Sequence, residues 1–323
     1  MLKAVVAALI VRGAGDAQEA ARVAGRIPDL DGAAGGEVRR WGRWLAGLYP
    51  GAGGRLGSVQ PDLLAEHHAV TCLAGDPALA KMVLSRLDGG QAVLALTVLA
   101  RAWELHEEAG PVIGAALHAD LAGLAVPAAE VTIATQPRTG ALLARALADA
   151  PAALEDLTRI EQALPYPSVA VANAHLALVL RIRRELPPST GQDEVARWAG
   201  RCAVLLSQAG RQAEALPAGQ EAVAIRRELA AALPDRYNPA LAASLSNLGA
   251  WFSELGRPAE ALPVKQEAVA IRRELAAALP DRYNPALATS LSNLGVTFSE
   301  LGRDADAAAA HREAEQYRRR PGL

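Results

Sequence analysis

The sequence predicts an all-α protein whose C-terminal third is a solenoid of stacked helix hairpins. Three observations support this prediction: a composition rich in alanine and leucine, an internal repeat of 46 residues, and apolar residues at helical spacing within each repeat. Hydrophobic residues make up 51% of the 323 positions but aromatic residues only 4%, which suits helices that pack closely through small side chains. Segments rich in the β-branched and aromatic residues typical of strands are scarce.

The repeat is a duplication near the C-terminus. Residues 212–257 and 258–303 align without a gap and are identical at 40 of 46 positions, and residues 206–211 belong to a fainter third copy. One pair of helices cannot bury its apolar faces alone, so neighbouring units must stack. We therefore predict repeats over residues 191–323, an irregular helical region of degenerate repeats over 76–190, and a separate N-terminal unit over 1–75.

Each unit is predicted to contain two antiparallel helices. Asn238 is expected to cap the first helix and Pro239 to occupy its first position, while Gly256 ends it. The apolar stripe of this helix comprises Leu241, Leu245, Leu248, Phe252 and Leu255. A second helix is expected from Pro258 to Leu279, where Pro280 stops it. Its apolar stripe comprises Val264, Ala268, Ile271 and Leu275.

These residues resemble the tetratricopeptide repeat. The matching packing positions are Asn247, Leu248, Gly249, Phe252, Gly256, Ala261 and Ala268, and residues 293–295 repeat the Asn-Leu-Gly string. The long period and extended second helix are most similar to the kinesin light chain type. The resemblance implies a right-handed α-solenoid that binds a protein or peptide. That family usually has an aromatic residue at the positions of Gly219, Lys265 and His311, so looser packing is expected there.

The predicted peptide-binding groove lies on the first helices, on the face opposite the leucine stripe. Its residues are Ala243, Ser246, Asn247, Ala250 and Glu254 in one repeat, and Thr289, Ser292, Asn293, Val296 and Glu300 in the next. In the kinesin light chain type, asparagines at the positions of Asn247 and Asn293 resemble a ladder that binds peptide backbone, since an amide both donates and accepts hydrogen bonds. The alternative is an exposed polar face whose asparagines bond locally.

The N-terminal unit is predicted to contain short helices at 2–12, 16–26 and 37–48, then a glycine-rich turn at 51–54 and an extended piece at 55–59, an order that suggests a winged-helix-like unit. The strings Trp44-Leu-Ala-Gly-Leu-Tyr-Pro50 and Val59-Gln-Pro-Asp-Leu-Leu-Ala-Glu-His67 resemble the segment ahead of the repeats in actinobacterial STAND-class, NLR-like ATPases. This resemblance implies the sensor part of such a regulatory system, with a nucleotide-binding module that would precede residue 1.

Helical signals also fill the middle of the chain. An Asp76-Pro77 cap is expected to open a helix to residue 87, and a long helix over 91–109 is expected to end at Gly110-Pro111. Further helices are predicted at 112–124, 127–135, 138–149, 151–164 and 168–186, and residues 187–191 form the clearest linker.

The sequence contains no catalytic motif. No Gly-Lys dipeptide closes a phosphate-binding loop, and no serine elbow or cysteine–histidine signature occurs. His68 and Cys72 are four residues apart, but a structural zinc site needs four ligands, so ordinary packing is the favoured interpretation. The sequence therefore predicts a protein that is not an enzyme and uses no cofactor and no metal.

One basic–aromatic cluster, at Arg39, Arg40, Trp41, Arg43 and Trp44, is compatible with binding in a DNA groove. Because the formal net charge is −2, no overall field supports nucleic acid as a partner, and we favour a second interpretation. In it the arginines are solvated and the apolar residues form a core stripe. That stripe comprises Trp41, Trp44, Leu45 and Leu48.

Two distant cysteines and the lack of an apolar run of about eighteen residues favour a reduced, cytoplasmic setting without a membrane span. The leading hypothesis is a protein- or peptide-binding module that acts as sensor or scaffold of a STAND-like regulatory system. The alternative is a winged-helix DNA-binding transcriptional regulator with a repeat tail.

Overall fold

A computed structural model of the chain describes residues 2–14, 16–27, 35–48, 62–134 and 137–319. Within these ranges the chain forms seventeen α-helices and no strand, which confirms the all-α prediction. The helices form two compact units, Met1–Arg181 and Ile182–Leu323. Among the described helices, none combines the length and the apolar character that crossing a bilayer requires.

The first unit is an irregular helical array. Its helices are α1 (Leu2–Arg12), α2 (Ala17–Ala24), α3 (Gly35–Leu48), α4 (Asp62–Gly75), α5 (Pro77–Val83), α6 (Gly89–Ala102), α7 (Ala109–Ala119), α8 (Leu121–Ala134), α9 (Pro137–Asp149), α10 (Leu154–Ala163) and α11 (Ala172–Glu185), which contains the boundary between the units. The helix predicted over residues 2–12 is confirmed and buries most of its apolar side chains. It packs against α4 and α6, so the core it belongs to extends beyond residue 75.

The winged-helix arrangement is not confirmed. Three helices lie close to the predicted positions, and α2 packs on α3. The glycine-rich turn at 51–54 and the extended piece at 55–59, on which the wing depends, lie outside the described residues. The domain boundary at residue 75 therefore stays a prediction.

Several helix boundaries in the middle region were predicted wrongly, beginning with the helix expected to reach residue 87, which ends at Val83. The helix expected over 91–109 ends at Ala102, and Gly110-Pro111 lies in the first turn of α7 rather than at a break. Proline is tolerated there because its missing amide would lack a partner in any case. Pro127 likewise lies inside α8, and the break falls instead at Asp120, whose carboxylate accepts from the Gly123 amide at 3.0 Å.

The second unit is an α-solenoid of three helix hairpins that follow the linker at 187–191. The hairpins are α12 (Gln192–Gln208) with α13 (Gln212–Ala232), α14 (Pro234–Glu254) with α15 (Pro258–Ala278), and α16 (Pro280–Glu300) with α17 (Asp304–Arg319). Each helix packs against the next along the chain, and the first helices α12, α14 and α16 are neighbours in that order.

A left-handed glycine ends the first helix of each hairpin, as predicted for Gly256. Gly210, Gly256 and Gly302 have φ angles of 74°, 67° and 71°. The Arg257 amide donates to the Phe252 carbonyl and the Gly256 amide to the Ser253 carbonyl, both at 2.9 Å. This is the Schellman pattern, which satisfies the last carbonyl groups of the helix.

The predicted N-cap at Asn238 is wrong. Helix α14 begins at Pro234, and the residue before it, Leu233, has φ −140° and ψ 74°. Because proline excludes the helical region for its predecessor, Pro234 both ends α13 and opens α14. Pro239 lies inside the helix, where its missing amide removes one hydrogen bond.

The leucine stripe of the first helix is mostly confirmed. Leu241, Leu245, Leu248 and Phe252 are buried, but Leu255 is 36% exposed. The stripe predicted for the second helix is confirmed only at Ala268, which is buried, because Val264, Ile271 and Leu275 are half-buried. The buried residues of α15 are Ala261, Lys265, Ala268, Val269 and Ala276. The close-packed face of α15 consists mostly of small side chains. The larger apolar side chains, on which the prediction was based, lie on the neighbouring face.

Candidate functional site

The predicted groove residues lie on α14 and α16, at equivalent positions one repeat apart. The exposed members are Ala243, Asn247, Glu254, Thr289, Asn293, Val296 and Glu300, and the half-buried members are Ser246, Ala250 and Ser292. Both serine hydroxyls donate to carbonyls of their own helix, Ser246 to Ala242 at 2.9 Å and Ser292 to Ala288 at 3.0 Å. A hydroxyl bonded in this way has less capacity left for a ligand.

The asparagine side chains behave differently. Within the described part of the chain, the amides of Asn247 and Asn293 make no hydrogen bond to the protein, and both are exposed. Local bonding, the alternative interpretation of these residues, is therefore absent among the described residues. Each amide retains two donor hydrogens and an acceptor oxygen for a ligand or water.

A cavity of about 240 Å³ lies beside Asn247, between α12, α13 and α14. Gly219 and Trp251 line it together with three arginines, which are Arg197, Arg201 and Arg226, and no acidic residue lines it. The Arg226 guanidinium lies over Gly200 and donates to the Ser244 hydroxyl. Burial lowers the pKa of Arg226 from its usual value, so the cavity holds a partly desolvated cation.

These arginines were not predicted from the sequence. Arg197 and Arg201 occupy the positions of Ala243 and Asn247 in the next repeat, because the repeat register is 46 residues. The signal for them is the fainter third copy of the repeat, in which arginines replace two groove residues and change the charge at this end of the groove. Arg197 also pairs with Glu194 at 3.0 Å and lies over the Trp198 ring.

The looser packing expected at Gly219, Lys265 and His311 is wrong. A Cβ atom added at Gly219 would lie 2.4 Å from the Trp251 ring, so the indole fills that position. At the equivalent place one repeat later, the Lys265 stem packs against Gly249, and the His311 ring packs against Gly295. The Trp251 indole therefore fills the space beside Gly219. In the next two hairpins the Lys265 stem and the His311 ring fill the equivalent space, each against a glycine.

Lys265 is 6% exposed, which is rare for a lysine. Its ammonium donates to the Ser253 hydroxyl at 2.9 Å and to the Thr297 hydroxyl at 2.7 Å. Burial lowers its pKa, and the charge of Glu300 opposes that shift. Lys265 thus joins α14 and α16, the first helices of two neighbouring repeats.

The basic–aromatic cluster on α3 is more exposed than expected. Arg39, Arg40 and Arg43 are exposed, and Trp44 is 38% exposed. The predicted core stripe is wrong except at Leu45, which is fully buried, since Leu48 is also exposed and Trp41 only half-buried. Helix α3 approaches α2 through Gly42 instead: a Cβ there would lie 2.3 Å from the Ala17 carbonyl oxygen.

The His68–Cys72 pair forms a local contact. The Cys72 sulfur lies 3.7 Å from His68 Nε2, and that nitrogen lies 3.0 Å from the Lys3 carbonyl oxygen. Among the residues that the structure describes, no three histidine, cysteine or acidic side chains gather as metal ligands would. Both cysteines are free, and burial raises the pKa of each thiol, which lowers its reactivity.

Comparison with known proteins identifies the repeat type. Residues 241–277 and 287–320 match a family model described as tetratricopeptide repeat. No protein with a curated description matches the sequence significantly.

Several solved structures match the chain at low sequence identity. One, from Podosopora anserina and described as a kinesin light chain with nearly identical TPR-like repeats, is 15% identical, with 69% of this chain and 93% of that chain covered and a TM-score of 0.40. BtubC (BKLC) from P. vanneervenii is 14% identical over 81% and 93% of the two chains, with a TM-score of 0.36. MamA protein is 13% identical over 72% and 98%, with a TM-score of 0.33. The matched residues establish that the C-terminal part of the chain contains tetratricopeptide repeats.

Proposed function

We propose that residues 191–323 bind a protein or peptide ligand in the groove formed by α12, α14 and α16. In this proposal the chain is the sensor or scaffold of a cytoplasmic, STAND-like regulatory system and has a separate nucleotide-binding module as a second partner. Tetratricopeptide repeats suggest a protein-interaction scaffold. The observation that carries the proposal is the pair of exposed asparagines, Asn247 and Asn293, whose amides make no bond to the described protein.

The repeat symmetry supports an extended ligand. Asn247 and Asn293 occupy identical positions in two repeats that differ at six of 46 residues, so their amides recur along the groove. An amide bonds the peptide backbone whatever the ligand sequence, because it pairs with both amide and carbonyl groups. The surrounding groove residues Ala243 and Thr289 differ in size between repeats and would adjust side-chain preference.

The cavity beside Asn247 supports an acidic ligand at one end of the groove. Arg197, Arg201 and Arg226 line it, and of these Arg197 is paired with Glu194 while Arg226 is partly desolvated. A carboxylate there would form charge-assisted hydrogen bonds, which are stronger than neutral ones. In the next repeat, Ala243 and Asn247 stand at the positions of Arg197 and Arg201. The acidic end of the ligand would therefore lie towards α12.

The double change Asn247→Ala/Asn293→Ala is expected to weaken ligand binding about ten- to a hundredfold. Each amide hydrogen bond contributes about 0.5–1.5 kcal/mol net, and about 1.4 kcal/mol corresponds to one decade of affinity. A partner is first identified by pull-down with the full chain and then titrated at fixed salt against wild type and variant. Thermal unfolding should show little change, since both side chains are exposed.

The matched control is Ser246→Ala/Ser292→Ala. These hydroxyls neighbour the asparagines but already donate within their own helices, so the loss of affinity should be smaller. Equal affinity of wild type and folded asparagine variant would show that the ligand docks on another surface.

DNA binding through α3 is a second candidate, favoured by the exposure of Arg39, Arg40 and Arg43 beside Trp44. If it holds, the full chain will retard duplex DNA, and Arg39→Ala/Arg40→Ala/Arg43→Ala will abolish the shift. Affinity should fall steeply with added salt, because phosphate contacts release counterions. No retardation at about 50 mM salt would eliminate this candidate.

A further inference from the structure

Four arginines line a polar cleft in the first unit, far in sequence from the repeats. Arg12 ends α1, Arg22 and Arg26 belong to α2 and the turn after it, and Arg86 lies in the turn between α5 and α6. The cleft has a volume of about 250 Å³, and we call it the arginine cleft. Glu19 and Asp88 are its acidic residues, so its lining carries a net formal charge of +2.

Arg12 forms the floor of the cleft and is only 4% exposed. One terminal nitrogen donates to the Val83 carbonyl at 2.7 Å and the Ser85 carbonyl at 3.1 Å. The other donates to the Arg86 carbonyl and the Gln91 side-chain oxygen, each at 3.4 Å. The Nε atom of Arg12 has no hydrogen-bond partner among the described residues. A buried donor left unpaired costs free energy, so the burial of Arg12 is only partly compensated.

The charges in the cleft are incompletely balanced. Burial and the neighbouring charge of Arg26 lower the pKa of Arg12 to about 10, and Asp88 opposes this shift. The Asp88 carboxylate already accepts from the Gln91 amide at 2.8 Å, where it caps α6. The guanidinium groups therefore favour an additional anion, which would relieve the repulsion between Arg12 and Arg26.

The backbone at the rim is strained. Arg86 has φ +51°, and within the described chain it is the one residue other than glycine with a positive φ. This conformation is unfavourable for a long side chain, and strained residues concentrate at binding sites. Arg22, Arg26 and Arg86 are all exposed, so their guanidinium groups are available above the buried Arg12.

We propose that the arginine cleft binds a small dianionic oxyanion, namely phosphate or the phosphate group of a small metabolite. Guanidinium groups present paired donors that match the oxygens of phosphate, and a dianion balances the net charge of the lining. The volume of about 250 Å³ is below that of typical sites for whole drug-sized ligands, which favours a group of phosphate size. This activity is separate from the peptide groove, which lies in the second unit.

The test is titration of the full chain with inorganic phosphate at pH 7.5 by calorimetry and thermal unfolding, with sodium chloride at matched ionic strength as reference. Phosphate is expected to raise the melting temperature saturably beyond the effect of chloride, because it binds the folded state. Arg22→Ala/Arg26→Ala should raise the dissociation constant at least about tenfold, the loss expected for charge-assisted hydrogen bonds. Arg86→Gly, which removes a guanidinium and relieves the positive φ, should also weaken phosphate binding while the protein remains folded.

Two controls locate the anion. Arg145→Ala removes an exposed arginine of α9, and Arg312→Ala removes an exposed arginine of α17; both should leave phosphate binding unchanged. Equal effects of phosphate and chloride would overturn the proposal, as would unchanged affinity in the folded Arg22→Ala/Arg26→Ala variant. If the protein sediments with phosphatidic acid vesicles but shows no saturable response to inorganic phosphate, the phosphate group belongs to a lipid. That result would contradict a small soluble ligand.

Discussion

Trp251→Thr is expected to lower the free energy of unfolding by about 3–5 kcal/mol, the range for truncating a buried tryptophan. The indole is buried and fills the space that Gly219 leaves between α13 and α14. Threonine cannot fill that space, so a cavity would remain. Urea unfolding followed by circular dichroism measures the loss without depending on tryptophan fluorescence.

The next repeat shows how this loss can be recovered. It has Lys265 and Thr297 where the first pair has Gly219 and Trp251, so two of the six differences between the repeats form one packing exchange. The stem of Lys265 also needs Gly249, where an added Cβ would lie 2.6 Å from Lys265 Cγ. In the repeat register, Ala203 occupies the position of Gly249 and must change with the pair.

We therefore expect Ala203→Gly/Gly219→Lys/Trp251→Thr to lie within about 1.5 kcal/mol of wild type, as volume-conserving exchanges do. The ammonium of the introduced lysine would find Ser207, which corresponds to the Ser253 acceptor of Lys265. Gly219→Lys alone should destabilise, since its Cβ would clash with the intact indole at 2.4 Å. A triple variant no more stable than Trp251→Thr would show that the three positions are independent.

The sequence predicted the features that depend on neighbouring residues. Gly256 ends its helix through a Schellman turn, which involves only the last few residues of the helix. The leucine stripe follows from the helical spacing of the large apolar side chains. The start of α14 was misplaced because two prolines, Pro234 and Pro239, compete for the first helical position. Local rules alone did not distinguish them.

Features that depend on distant residues could not be predicted. Arg12 meets the Val83 carbonyl across 71 positions, so the arginine cleft has no signature in any window of sequence. The buried state of Lys265 depends on Gly249 and Thr297, which belong to two other helices. At the groove, Asn247 and Asn293 are exposed, as both interpretations of the sequence require. The arginine-lined cavity depends on how α12, α13 and α14 pack together, which no local pattern predicts.

Leu248→Ala is expected to cost about 2–5 kcal/mol, because the side chain is 4% exposed and the deletion leaves a cavity in the stacked repeats. Leu294, its equivalent one repeat later, lies in the core shared by α15, α16 and α17, so Leu294→Ala should show a similar cost. Leu255→Ala is the matched control. Leu255 belongs to the same predicted stripe but is 36% exposed, and its truncation should cost about 1 kcal/mol or less.

Chemical denaturation of the three variants separates the buried positions, Leu248 and Leu294, from the exposed position, Leu255. Equal losses at Leu248 and Leu255 would mean that the end of α14 is buried against a surface other than the one described. The expected difference supports packing of α14 through the buried part of its stripe, which excludes Leu255.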